Sequence, residues 1–143
     1  NKKTVEDISN YMPIRIVEHN FHTYLAKKVN CRPNTGFLAI YDLLMQEPEK
    51  LSIYGFSFYL DGFIPGCKEG IIQEQNKDEE QFAEQCFTSK RHVQENMWSF
   101  AKETILNNKK VNLDPVLNKI LNLPKLDKNL FAEIREDESF YSH

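Results

Sequence analysis

Apolar positions along the chain fall into short periodic runs separated by polar turns. Met12-Pro13-Ile14-Arg15-Ile16-Val17 carries β-branched residues in alternation and predicts a strand, with Pro13 suited to its start or to a sheet edge. From Asn20 to Val29, Phe21, Tyr24, Leu25 and Lys28 recur at helical spacing and predict a short helix. Arg32-Pro33-Asn34-Thr35-Gly36 interrupts the pattern. Either Asn34 or Thr35 can cap the next helix, because a side-chain oxygen there accepts from the otherwise unpaired first-turn amides. That helix is strongly apolar (Phe37, Leu38, Ile40, Tyr41, Leu43, Leu44) and is expected to end near Gln46–Glu47, before Pro48. Lys50 to Phe56 then reads as a strand buried on at least one face. Helix, tight connection and strand make one step of a parallel α/β sheet.

Three Gly and one Pro between Leu60 and Gly70 predict a loop, and the polar, acidic stretch Gln73 to Glu84 continues it as an exposed helix start or a lid. Residues 60–84 are therefore expected to be a mobile segment. Val93, Met97, Phe100, Ala101 and Thr104 predict an amphipathic helix to about Leu106, and Val111-Asn112-Leu113 a last short strand. Asp114-Pro115 has the form of an N-cap followed by proline in the first turn, so a helix from Pro115 to Leu123 should follow. The tail, 124–143, gives no firm pattern. The whole reads as one α/β domain or fragment, 1–143, with a Rossmann-like parallel sheet between flanking helices.

Composition supports a folded core. The chain has 143 residues, 41% hydrophobic and 12% aromatic, too apolar for a disordered segment despite 27% charged residues. A net charge of −3 removes the usual basis for nucleic-acid binding, since there is no basic excess to neutralise phosphates. Cys31, Cys67 and Cys86 are widely and irregularly spaced, which fits thiols, or one disulfide and one thiol, better than a zinc site. No apolar run approaches the roughly 20 residues of a membrane span. The opening Asn1-Lys2-Lys3-Thr4 has neither an initiating Met nor an apolar leader. It suits a piece of a larger protein, cytoplasmic or associated with a membrane surface through the rest of that protein.

Three junctions carry candidate chemistry. Pro33-Asn34-Thr35-Gly36 opens a helix whose unpaired amides and positive dipole end suit a phosphate, or it is simply a capped helix start. Gly55-Phe56-Ser57-Phe58-Tyr59-Leu60-Asp61-Gly62 follows a strand, where open α/β sheets bind ligands, or it is an aromatic cluster closing the core. His92 precedes an amphipathic helix, with Arg91 beside it; an imidazole can take a proton from a hydroxyl near neutral pH, or cap the helix in solvent. The acidic run Asp78-Glu79-Glu80 reads as a solvated face with no metal assigned.

Together these junctions resemble the sialyltransferases. Pro33-Asn34-Thr35-Gly36-Phe37-Leu38-Ala39-Ile40 followed by Leu51-Ser52-Ile53-Tyr54-Gly55-Phe56 is similar to the family's small sialylmotif, a Pro-Ser/Thr-Ser/Thr-Gly turn, a helix, and a strand ending in Tyr-Gly-Phe. Gly55 to Gly62 is similar to the strand end Gly-x-Asp-Phe-Tyr-x-Asn-Gly of the bacterial sialyltransferases, in which a histidine follows some thirty residues after the tyrosine; His92 lies 33 positions after Tyr59. The resemblance spans Pro33 to Phe100. It implies the C-terminal portion of a GT-A-like sialyltransferase fold and metal-independent, inverting transfer of sialic acid from its CMP-activated form to a glycan hydroxyl, with no cofactor besides the donor. Carried over residue by residue, it implies that Asn34, Thr35 and Gly36 hold the donor nucleotide and phosphate. Ser57 and Asp61 would lie at the substrate, Tyr59 would bond the departing phosphate, and His92 would be the general base.

The sequence also departs from the pattern. Ser57 replaces the bacterial aspartate, and Phe63 stands where a second phosphate-binding tyrosine is expected. Glu95 follows His92 by three positions, not four, and the Gly-rich large motif is not found in these residues. Two alternatives stay open: a catalytically degenerate nucleotide- or glycan-binding fragment, and a transferase using another activated sugar.

Overall fold

A computed structural model describes residues 15–61 and 78–135. In chain order the elements are α1 (His19–Val29), α2 (Thr35–Met45), β1 (Leu51–Ile53), α3 (Glu79–Phe87), α4 (Gln94–Thr104), β2 (Val111–Leu113), α5 (Pro115–Asn122) and α6 (Lys128–Arg135). The two strands pair in parallel, Leu51 with Val111 and Ile53 with Leu113, and helices flank them. The molecule is thus a mixed helix–strand structure around a small two-stranded parallel sheet.

Local chemistry sets most boundaries as the pattern implies. Asn34 Oδ1 accepts from the Phe37 amide at 2.8 Å and starts α2. Asp78 and Asp114 do the same for α3 and α5, each at 2.7 Å, with Pro115 in the first turn of α5. α1 stops at Asn30, which adopts the left-handed conformation (φ 50°) that asparagine tolerates.

Two expectations change. Residues 15–18 form no strand; Arg15 instead reaches across to Asp42 of α2 with two bonds, Nε to Oδ2 at 2.6 Å and Nη2 to Oδ1 at 2.9 Å. Residues 12–14 lie outside the described residues. The strand expected over 50–56 is cut to three residues because Gly55 takes a positive φ of 69°, turning the backbone off the ladder. Of the segment 60–84, residues 62–77 lie outside the described residues, and 79–84 begin a helix, one of the two readings of 73–84, with Phe82 and Ala83 buried. From the tail, α6 emerges with Phe131 in the core.

α4 is the centre of the core. Met97, Trp98, Ala101 and Ile105 all face inward at i, i+1, i+4 and i+8, against Leu25 and Val29 of α1, Phe37 and Tyr41 of α2, and Leu117, Ile120 and Leu121 of α5. Two α4 side chains also satisfy the carbonyls at the end of α5: Trp98 Nε1 donates to Ile120 O at 2.9 Å and Lys102 Nζ to Leu123 O at 2.6 Å. The Lys102 ammonium lies over the Trp98 ring and sits at the negative end of the α5 dipole. On the other side, Lys128 of α6 pairs with Glu84 of α3 and covers the Phe87 ring.

Two stability outcomes follow. Replacing Trp98 by Phe keeps most of the apolar volume but removes one of the two donors to the Ile120 carbonyl, leaving only the Leu123 amide, and should lower unfolding free energy by about 0.5–1.5 kcal/mol in denaturant titration. The guanidinium of Arg15 holds the Asp42 carboxyl below its usual range, so this pair stabilises the fold above the ordinary aspartate pKa and that contribution is lost as pH falls through the lowered one. Arg15→Ala should therefore flatten the acid limb of a pH–stability curve below about pH 4.

Candidate functional site

The three junctions singled out in the sequence meet. The loop before α2 and the loop before α4 are joined by main-chain and ring contacts: Arg32 N donates to Arg91 O at 3.1 Å, and the His92 ring nitrogen Nδ1 lies 2.7 Å from Arg32 O. The thiol of Cys31 bonds Val93 O and the Asn96 carboxamide reaches Asn30 O, extending the seam. The strand end arrives from the other side, where the Phe56 ring packs on the start of α2. A Cβ at Gly36 would fall 3.0 Å from Phe56 Cε2, so a larger residue there would push the ring back by a few tenths of an ångström.

The surroundings of His92 define its tautomer. A carbonyl oxygen only accepts, so the contact with Arg32 O requires the proton on Nδ1 and leaves the lone pair on Nε2. Burial and the adjacent Arg91 charge both push the imidazole pKa below its ordinary value. Neutral His92 with Nε2 unprotonated is the form a proton acceptor needs. Its backbone is fixed as well: Ser89 Oγ accepts from the amides of Arg91 and His92, at 3.3 and 3.2 Å, and buried Gln94 donates to His92 O at 2.7 Å.

The strand end is a tight turn. Leu60 N donates to Ser57 O at 3.0 Å, and Phe58 and Tyr59 both have positive φ, 52° and 62°, the pattern of a type I′ turn. Side chains with a Cβ occupy this region at a cost of about 1–2 kcal/mol each. Burial of Phe58, edge-on to Phe56 at 4.9 Å between centroids, opposes that cost. Tyr59 is half-buried, and burial followed by the field of Cys86 pushes its phenol pKa up, so it is a neutral hydroxyl. Ser57 is half-buried and Asp61 exposed. Thr35 and Gly36 are exposed at the first turn of α2, whereas Asn34 Oδ1 is engaged in capping.

The sequence did not reveal the Ser89 anchor, the Arg32 carbonyl or the Phe56–Gly36 contact. Ser89 stands three residues before His92, the one local signal that pointed to a turn there. Cys31 and Cys86 are not joined in a disulfide, and Cys67 lies outside the described residues. Among the described residues, no group of three or more His, Cys, Asp or Glu is placed to hold a metal ion, and no helix is long and apolar enough to cross a membrane.

Comparison with protein-family models, with curated proteins and with solved structures finds no match to this chain.

The His92 environment is directly measurable. Ring NMR should show the Nδ1–H tautomer with a pKa below about 6.5, and Arg91→Gln should move that pKa upward by removing a repelling charge. Because the folded-state pKa is depressed, lowering the pH through this range costs stability, and Arg91→Gln should reduce that loss.

Proposed function

We propose that the chain carries the acceptor-activating half of a sialyltransferase-like site, in the C-terminal portion of a Rossmann-like, GT-A-like fold. The observation that supports this reading most is the seam itself. Of the three segments that resemble parts of the sialyltransferase pattern, 33–36 and His92 are linked through Arg32, which bonds Arg91 and His92, and Phe56 of 55–61 packs on Gly36.

In the proposed reaction a glycan acceptor hydroxyl attacks the anomeric carbon of a nucleotide-activated sugar, CMP-sialic acid on the sequence resemblance. His92 Nε2 takes the hydroxyl proton as the new carbon–oxygen bond forms and the bond to the phosphate breaks. The leaving CMP phosphate gathers negative charge. The Tyr59 hydroxyl donates to it, and the exposed first turn of α2 at Thr35 and Gly36 offers amides and the positive end of a helix dipole. The resemblance assigns Ser57 and Asp61, which flank the same turn, to the substrate. No part of this step calls on a metal or a further cofactor, and the partners are a nucleotide-sugar donor and a glycan acceptor.

One observation favours a second reading. Asn34 caps its own helix and the Phe56 ring closes on Gly36, so part of the surface assigned to the donor is occupied from within the chain. That suits a binding fragment that has lost transfer, or a transferase for another activated sugar.

Calorimetry and a transfer assay separate these outcomes. The leading reading expects CMP binding, transfer from CMP-sialic acid, and a loss of about 10²–10⁴-fold in turnover for His92→Ala with CMP affinity nearly unchanged. Its rate should fall as pH drops below the depressed His92 pKa, since the protonated ring cannot accept. CMP binding without transfer supports the binding fragment. Unchanged transfer by His92→Ala sinks the assigned base.

A further inference from the structure

The other ends of α2 and α4 form a separate cavity. It is an open groove of about 270 Å³ whose apolar lining includes Phe21, Leu25, Tyr41, Leu44 and Phe100. At its wall Thr104 Oγ1 donates to Phe100 O, which leaves the Tyr41 hydroxyl to donate to Thr104. Burial pushes the Tyr41 phenol far above its usual pKa, so this pair is neutral and internally satisfied. The apolar rim is exposed, with Tyr24 at 51% and Met45 at 61%.

Two opposite charges line the same groove. Glu47 follows the C-terminal end of α2, where no basic residue compensates the helix dipole, and Lys110 precedes β2. Both are exposed, and among the described residues neither forms an ion pair. Glu47 has a positive φ of 52°, in the left-handed region, and its amide is tied to Leu44 O at 3.0 Å. The groove therefore offers an apolar body, one carboxylate whose pull on a cation adds to that of the helix's negative end, and one ammonium.

We infer that this groove binds a free α-amino acid with a large apolar side chain. Its ammonium pairs with Glu47, its carboxylate with Lys110, and its side chain enters among Phe21, Leu44 and Phe100. A volume near the lower end of the usual range for small-molecule sites, about 300–1,000 Å³, suits a ligand of that size. A fatty acid or an aliphatic amine would satisfy only one rim charge and leave the other facing apolar ligand. A peptide terminus likewise brings only one of the two charges. The site stands apart from His92 and does not depend on the transferase reading.

The test is an amide NMR titration of the full chain with L-phenylalanine, phenethylamine and phenylacetate. Phenylalanine should shift the amides of Leu44, Thr104 and Lys110 saturably and bind more tightly than either single-charge analogue. Glu47→Gln should weaken phenylalanine and phenethylamine by roughly two- to fivefold and leave phenylacetate unchanged; Lys110→Gln should weaken phenylalanine and phenylacetate by a similar factor and leave phenethylamine unchanged. Leu44→Trp should fill the groove and abolish binding. If that variant fails to fold, the two exposed rim variants still decide the matter. Absence of saturable shifts at about 10 mM ligand overturns the inference. So does either analogue binding as tightly as phenylalanine, or charge variants that leave affinity unchanged.

Discussion

The placement of the strand end rests on one carboxylate. Asp114 accepts from Leu117 N through Oδ1 and from Gly55 N through Oδ2, each at 2.7 Å, while its own amide donates to Ile53 O at 3.1 Å. It therefore starts α5, closes the β1–β2 ladder and clamps the residue at which the chain leaves the sheet. Phe56 follows Gly55 directly, so the approach of its ring to Gly36 inherits this anchor. A helix cap elsewhere stabilises one helix; this one also aims a strand end at a neighbouring helix N-terminus. Asparagine at 114 keeps one acceptor oxygen and cannot serve both amides in this way.

The direction of α2 and α4 organises the rest. Their N-terminal loops touch at Arg32 and Arg91, and their later turns meet where Tyr41 bonds Thr104, so the two helices run the same way. Parallel neighbours add their dipoles instead of cancelling them. One end of the pair is electropositive and carries His92 with its depressed pKa; the other is electronegative and borders the apolar groove. The two ends of the helix pair differ in electrostatic character for this common reason.

Periodicity and caps were legible in the sequence because they are local. Asn34 and Asp114 cap the helices they precede, Pro48 follows the end of α2, and the helical spacing of Val93, Met97 and Ala101 describes the buried face of α4. What escaped was tertiary. Residues 15–18 form no strand, and Arg15 turns its guanidinium to Asp42, 27 residues away. The strand after Lys50 ends early because Gly55 is fastened by Asp114, 59 residues on. At the candidate site, the identity of His92 was readable but its tautomer was not, since that depends on a carbonyl 60 positions earlier. Tyr59 was readable as a hydroxyl; its left-handed turn follows from burying Phe58, which no spacing rule announces.

The chain has a single tryptophan, Trp98, which is only 7% exposed and bonded to the last turn of α5. Its indole lies under the Lys102 ammonium and belongs to the same buried cluster as Leu117 and Leu121. Separation of α5 from α4 would release that N–H to water and strip the cation from the ring at once. The protein thus contains its own optical reporter, placed at the joint between the helix that follows His92 and the helix that Asp114 caps. Without any label, emission from one residue reads whether the two halves of the core are engaged.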